Sequence, residues 1–215
     1  MTTTNRMKTE RLVRRNNIIK AAELIFDKKG FESSTMDDIA KQAEFTKKTI
    51  YSYFTSKEEL YYEIMLEGFK TLNNLYDKAL IENEEISETK KIKKLGQTFI
   101  EFSRTYPGYF KAISDYENKD FDFQQDDNNP LVKECYVAGE YSFELLKKCI
   151  IKGIKKGEII DKTDPITVCL ILWASILGIV GLINKKEKYI SVYYNQSIEE
   201  LVEKGFEMLL SSIKK

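Results

Sequence analysis

The chain has no histidine in its 215 residues, so the commonest general base and the commonest metal ligand are both missing. It holds only 3 prolines and 10 glycines, little material for the dense turns of a β sandwich, and helices are favoured. The three cysteines, Cys135, Cys149 and Cys169, form no C-x-x-C pair, which leaves neither a zinc knuckle nor a redox motif. So sparse and odd a set suits a reducing cytosol. Cys149 and Cys169 read as small apolar fillers within helices, and Cys135, beside a polar stretch, as the more exposed one. Met1 to Lys20 is polar and basic without an apolar core, so no secretory signal and a cytoplasmic location are expected. No nucleophile–base pair or cofactor loop is recognisable. The chain does not read as an enzyme, and no catalytic residue, cofactor or metal is assigned.

Apolar residues make up 42% of the chain and charged residues 32%, a globular balance. The net charge is zero, but it hides an asymmetry. Up to Lys57 there are 12 Lys and Arg against 7 Asp and Glu, and the rest of the chain carries the opposite excess of five. A basic head on an acidic body points to an anionic partner for the head.

Spacing predicts helices throughout. The first runs from Thr9 to Lys29, with Leu12, Ile18, Ile19, Ala22, Ile25 and Phe26 as its buried stripe and Gly30 as its stop. Thr35 is the expected N-cap of a short helix over Met36 to Ala43, Thr46 of another through Ser52, and Ser56 with Glu59 opens a longer one to Leu80 as a capping box. Further helices follow over Lys90 to Thr105, Tyr109 to Glu117 and Leu131 to Lys156, with a loop expected over Lys119 to Pro130. Asp164 and Pro165 open a helix to Asn184, Lys185 to Gln196 reads as loop, and Ser197 with Glu200 opens the last helix. No strand pattern and no internal repeat is visible: the fold class is all-α.

Ile166 to Ile183 is an apolar run of 18 residues, the length at which a membrane helix becomes conceivable. Thr167, Ser175, Gly178 and Gly181 weaken that reading, and a helix apolar all round also suits burial between protein layers. Ala174, Gly178 and Gly181 share one smooth face. With the stripe Leu201, Phe206 and Leu209 of the last helix, two such helices from each of two chains would form a four-helix dimer interface, and no membrane is expected.

The most informative stretch is Thr35 to Leu60, TMDDIAKQAEFTKKTIYSYFTSKEEL. Two short helices with a tight turn between them, the second basic and hydroxylated, form a helix-turn-helix pattern. A helix opening at Thr46 projects Lys47, Lys48, Thr49 and Tyr51 from its N-terminal half, where base edges in a major groove are reached. Ile50 and Phe54 point inward with Ile39 and Ala43.

These residues resemble the DNA-binding domain of the TetR (tetracycline-repressor-like) transcriptional regulators. The family shows an alanine-rich first helix ending in Gly-Phe, here AAELIFDKKGF, and then a Thr cap, an I-A pair and a second cap. T-[LI]-Y-x-Y-F and S-K-E-x-L follow, here Thr49 to Phe54 and Ser56 to Leu60. Beyond about fifty residues only helical layout, size and the W-A-S-x-x-G segment at Trp173 to Gly178 match. Three positions depart from the pattern. Glu44 stands at the turn where the family has Gly, and a left-handed backbone there costs Glu about 1 kcal/mol. Phe45 replaces a smaller apolar residue, and Lys48 replaces a common Gly.

The resemblance implies a three-helix head, residues 1–57, and a larger helical body, residues 58–215, that binds an effector and dimerises. It places Thr35, Tyr53 and Lys57 on phosphates, Lys47, Lys48, Thr49 and Tyr51 nearest the bases, and Thr46 as a cap within reach of phosphate. Arg6, Lys8, Arg11, Arg14 and Arg15 form a basic arm. The implied partners are double-stranded DNA with a palindromic operator, a small-molecule effector and a second copy of the chain. Phe99, Phe102, Tyr106, Phe110, Tyr136, Phe143 and Trp173 are the aromatic candidates for an effector pocket, although such spacing serves a plain core equally well. The function expected is a ligand-released repressor; the alternative is a ligand-independent DNA-binding protein of the same fold, acting on chromosome organisation or under a protein partner.

Overall fold

A computed structural model describes residues 3–117, 129–162 and 164–215, with side chains from residue 5 onward and excluding those of residues 115–117. Among these residues there are nine helices and no strand: α1 (Thr3–Lys29), α2 (Met36–Gln42), α3 (Lys47–Tyr51), α4 (Lys57–Ile81), α5 (Glu88–Thr105), α6 (Pro107–Glu117), α7 (Pro130–Lys155), α8 (Pro165–Tyr194) and α9 (Ile198–Ile213). A single antiparallel bridge joins Ile159 to Lys214. The all-α expectation is met. The loop expected over Lys119 to Pro130 lies, up to residue 128, outside the described residues.

The helices gather into two compact units, Met1–Thr71 with Tyr106–Ala138, and Leu72–Thr105 with Gly139–Lys215. In the first, Ile18, Ala22 and Phe26 of α1 are buried, as are Ile39 of α2, Ile50 of α3, and Leu60, Ile64 and Met65 of α4. Phe26, Phe31 and Tyr61 form a ring cluster with centroids 4.8–5.7 Å apart, and the Tyr61 hydroxyl donates to the Ala112 carbonyl of α6 at 3.2 Å. Gly68 allows a close approach of α6, since a Cβ there would lie 3.0 Å from the Cβ of Tyr109.

In the second unit Ile92, Leu95 and Phe102 of α5 meet a core that includes Cys149, Ile150, Val168, Cys169 and Phe206. Glu88, at the start of α5, is buried, and Lys156 donates to its carboxylate at 2.8 Å while Lys91 stands at 3.5 Å. Burial pushes this carboxyl up, but the two ammonium groups prevail and hold it below the ordinary carboxylate range.

Four expectations are corrected. α1 begins at Thr3, six residues before Thr9, because Arg6 pairs with Glu10 one turn on and the Thr9 hydroxyl donates to the Asn5 carbonyl. Leu12 is exposed, not part of the buried stripe, since the core begins only at Ile18. The segment Lys185 to Tyr194 is helix, not loop. Its lysines and glutamate are good helix formers, and Ile190 continues the buried stripe two turns beyond Ile183. Asn195 then ends the helix in the left-handed conformation (φ 50°). Finally, Cys135 is buried, its thiol donating to the Tyr62 carbonyl at 3.4 Å; burial pushes it up to about 12. Polar sequence neighbours did not report what the helix packs on.

α8 is long and apolar enough to cross a membrane by length and composition, yet within the chain much of it is uncovered: Ile166, Leu170, Ile171 and Leu182 are exposed. Phe206 behaves otherwise. It is 6% exposed and fills the space over Gly96, where a Cβ would stand 2.4 Å from its ring. Phe206→Ala is therefore expected to cost about 3–5 kcal/mol, measured by urea unfolding. A loss under 1 kcal/mol would mean that the ring has no core role.

Candidate nucleic-acid interface

Two caps fix α2. Thr35 accepts from the Asp38 amide at 3.2 Å, and the Asp38 carboxylate accepts from the Thr35 amide at 3.2 Å and hydroxyl at 2.9 Å, a complete capping box. Lys29, at the end of α1, adds an ion pair to the same carboxylate at 2.6 Å. At the other end the Phe45 amide donates to the Ala40 carbonyl at 3.0 Å and the Glu44 amide to the Lys41 carbonyl at 3.3 Å. This is a Schellman closure, and Glu44 occupies its left-handed position with φ 57°.

The closure delivers the chain directly to Thr46, which caps α3 by accepting from the Thr49 amide at 3.1 Å. The Thr46 and Thr49 hydroxyls also bond each other at 2.8 Å. Ile50 and Phe54 are buried, which turns the opposite face of α3 to solvent. Lys47, Lys48 and Tyr51 lie on that face, and Thr49 is half-buried. Lys47 reaches back to Asp37 of α2 at 3.0 Å, and this hydrogen bond raises its pKa above the ordinary lysine value. Lys48 has no side-chain partner among the described residues. One free cation and one loosely paired cation thus project from a helix whose backbone is held at both ends.

Sequence reasoning missed three contacts around this face, because each joins residues distant in the chain. The Arg11 guanidinium lies 5.8 Å from the ring centre of Tyr53, and Arg15 lies 5.2 Å from that of Phe54 while pairing with Glu63 of α4. Lys57 donates to the carbonyls of Phe31, Glu32 and Ser34. The basic arm is therefore helical, and two of its arginines are fastened beside α3.

The other candidate residues are placed as follows. Tyr106, Phe110 and Tyr136 belong to the first unit, and Phe99, Phe102, Phe143 and Trp173 to the second. Phe99 and Phe102 are buried and Trp173 is 38% exposed. A small cavity in the first unit, between Glu23, Phe26, Tyr61 and Lys111, is lined by none of the seven. Ala174 and Gly178 are exposed and Gly181, Leu201 and Leu209 half-buried, with open space over both glycines. Phe206 faces inward. Among the described residues no cluster of His, Cys, Asp and Glu could hold a metal ion.

The signature of bacterial regulatory proteins of the tetR family matches residues 18–64. The uncharacterized HTH-type transcriptional regulator YhgD of Bacillus subtilis (strain 168) is 30% identical over 153 residues, 71% of this chain and 74% of its own length. YdgC of the same organism, also an uncharacterized HTH-type regulator, is 30% identical over 100 residues, 45% of this chain; the chain spans half of that relative's length. IcaR of Staphylococcus aureus (strain Newman), the negative transcriptional regulator of the biofilm operon icaADBC, is 36% identical over 61 residues, 28% of this chain and 33% of its own. Among solved structures, the regulator FadR of Bacillus subtilis in complex with stearoyl-CoA superposes with a TM-score of 0.72 at 19% identity, over 92% of this chain and 98% of the other.

Two expectations follow for the turn and the cap. Glu44→Gly is expected to raise stability by about 1 kcal/mol, because glycine carries no penalty in the left-handed region, and so to raise the melting temperature by about 2–4 °C. Differential scanning calorimetry checks this; an unchanged or lowered value would mean that the Glu44 side chain contributes more than its backbone costs. The Lys29 hydrogen bond and those of Thr35 hold the Asp38 carboxyl below its ordinary value of 3.8. A depressed value means stabilisation that is complete above the unfolded-state pKa and lost as pH falls through the folded one. Asp38→Asn is thus expected to be less stable than wild type at pH 7, and the gap is expected to close below about pH 4. A gap independent of pH in parallel unfolding curves would show that the carboxylate charge is not involved.

Proposed function

The chain belongs to the tetR family of bacterial regulatory proteins, and from that premise we propose that it is a repressor that binds a palindromic operator as a dimer and is released by a small hydrophobic or amphipathic ligand. The observation that carries this reading is α3, a capped helix that turns two lysines and a tyrosine outward, with Thr49 half-buried beside them, from an apolar inner face. Lys47, Lys48, Thr49 and Tyr51 enter the major groove. Lys48, the unpaired cation, reads guanine acceptors. Thr35, Thr46 and Tyr53 lie along the phosphates, and Arg6, Lys8 and Arg14 of the helical arm add sequence-independent attraction. Residues 1–57 act as the DNA-binding head and 58–215 as the effector-binding and dimerising body.

Dimerisation is supported by α8. Apolar surface as extensive as Ile166, Leu170, Ile171 and Leu182 rarely faces water on a lone chain. A second copy packing on Ala174, Gly178, Gly181, Leu201 and Leu209 would cover it, and a location in the cytoplasm goes with that packing. Two-fold symmetry then requires a palindromic site. Repression accords with the negative regulator IcaR. For the effector, the aromatic residues Phe99, Phe102, Tyr106, Phe110, Tyr136, Phe143 and Trp173 favour an apolar or amphipathic compound, in keeping with the stearoyl-CoA of the similarly folded FadR. Such a compound releases DNA only if it prefers a state whose two heads no longer match the operator.

The test is selection of bound genomic fragments by the purified protein at about 150 mM salt, near physiological ionic strength, followed by sequencing. A few pseudo-palindromes are expected, and Lys48→Ala is expected to change the preferred base at one position per half-site, at about 1–3 kcal/mol per base pair. Broad enrichment without a motif would overturn sequence-specific regulation. Equal losses on cognate and random DNA from Lys48→Ala would remove its base-reading role.

A further inference from the structure

We infer that the buried hydroxyl of Thr98 is the polar anchor of the effector site: it hydrogen-bonds an oxygen function carried by an otherwise apolar ligand. The inference rests on the reading of residues 58–215 as the effector-binding body, and it names the ligand chemistry which that site selects. Among the described residues the buried polar side chains are those of Ser34, Glu88, Thr98 and Ser103. Three of them are satisfied. Ser34 donates to the Gly30 carbonyl at 2.6 Å, Ser103 donates to the Ile100 carbonyl at 2.8 Å, and Glu88 accepts from Lys156 at 2.8 Å. Thr98 is only 7% exposed, and its hydroxyl has no partner among the described residues. A helical threonine can settle this by donating one turn back, as Thr71 does to the Glu67 carbonyl at 2.7 Å. Thr98 makes no such bond to the Lys94 carbonyl.

The surroundings of that hydroxyl suit a ligand. α7 runs antiparallel to α5: a Cβ at Gly153 would lie 3.4 Å from that of Glu88, and the Cys149 thiol, one turn before Gly153, feels the charges of Glu88 and Lys91. Two turns further along α5 and two turns back along α7, this register brings Thr98 level with Ser142. Ser142 in turn donates to the side-chain carbonyl of Asn73 on α4 at 2.7 Å. Phe99 and Phe102 of α5 are buried, and Phe143 of α7 is half-buried. Apolar lining for affinity with a few polar groups for orientation is the usual make-up of a small-molecule site. A hydroxyl donates one hydrogen bond and accepts two, so an alcohol, ketone or carboxyl oxygen satisfies it and a plain hydrocarbon does not. Left unmet, the buried hydroxyl destabilises the free protein. An oxygen function that meets it removes this penalty on binding.

The test compares the full chain as wild type, Thr98→Val and Thr98→Ser with three probes that share one alkyl chain: 1-octanol, octanoate and 1-chlorooctane. Binding is measured by titration calorimetry, and the melting temperature is taken without ligand. Valine keeps the shape of threonine and removes the hydroxyl. If Thr98 is the anchor, Thr98→Val weakens binding of at least one oxygen-bearing probe by about 3–10-fold, the scale of one hydrogen bond, while 1-chlorooctane binds as it does to wild type. Thr98→Ser keeps the wild-type preference for oxygen. A loss confined to octanoate assigns a carboxyl ligand, and one confined to 1-octanol a neutral ligand. Ligand-free Thr98→Val is expected to melt no lower than wild type, because an unmet hydroxyl has been removed. A lower melting temperature would show that the hydroxyl is already bonded in the free protein, and it overturns the inference. So does a preference for oxygen that survives in Thr98→Val. Wild type that binds none of the three probes would overturn the reading of an amphipathic effector itself, and the inference with it.

Discussion

A helix of seven residues has almost no stability of its own, and the DNA-binding head depends on one. α2 exists because both of its ends are closed: the reciprocal Thr35–Asp38 cap and the Lys29 ion pair at the front, and the left-handed closure at Glu44 behind. Those bonds close the two ends, and Ile39, Ile50 and Phe54, buried beneath them, pack α2 and α3 together. The strain at Glu44 is small beside the loss of that closure. The position tolerates a non-glycine residue because the closing amides of Glu44 and Phe45 are both satisfied.

What the sequence revealed follows from how far each interaction reaches. Caps are local, so Thr35, Thr46, Asp164 and Ser197 were readable as the starts of helices, and each side chain accepts from the amide three residues on. Spacing pairs Ser56 with Glu59 as a reciprocal box. Ser56 does accept from the Glu59 amide, but the Glu59 carboxylate turns to Thr55 instead, a choice between neighbours that spacing does not resolve. The solvent-facing residues of α3 were legible because the helix separates polar from apolar positions within five residues. The ends of α1 and α8 were not, because charged residues favour helix and loop alike until a buried partner such as Ile190 decides. Cys135, Lys57 and the Arg15–Glu63 pair were beyond reach for one reason: each is settled by a group at least 23 residues away.

The two ends of the molecule's chemistry also differ in kind. The head is held by hydrogen bonds and ion pairs around a small core, and it presents charge. The second unit is held mainly by apolar packing, with Glu88 as its one fully buried carboxylate among the described residues, and it presents apolar surface along α8. Salt therefore acts chiefly on what the head binds, while temperature and cosolvents that weaken apolar burial act chiefly on what α8 binds.

The first turns of α1 stand outside the core, yet Arg11 rests on the ring of Tyr53, only two residues past α3. Whatever is fused ahead of this helix starts near the exposed face of α3, where we propose that DNA binds. An affinity tag placed there would bring its own charge and bulk to the groove, and an acidic one would repel the phosphates outright. For recombinant work the opposite terminus, where the Lys215 amide bonds the Glu158 carbonyl within the second unit, is the better place for added sequence.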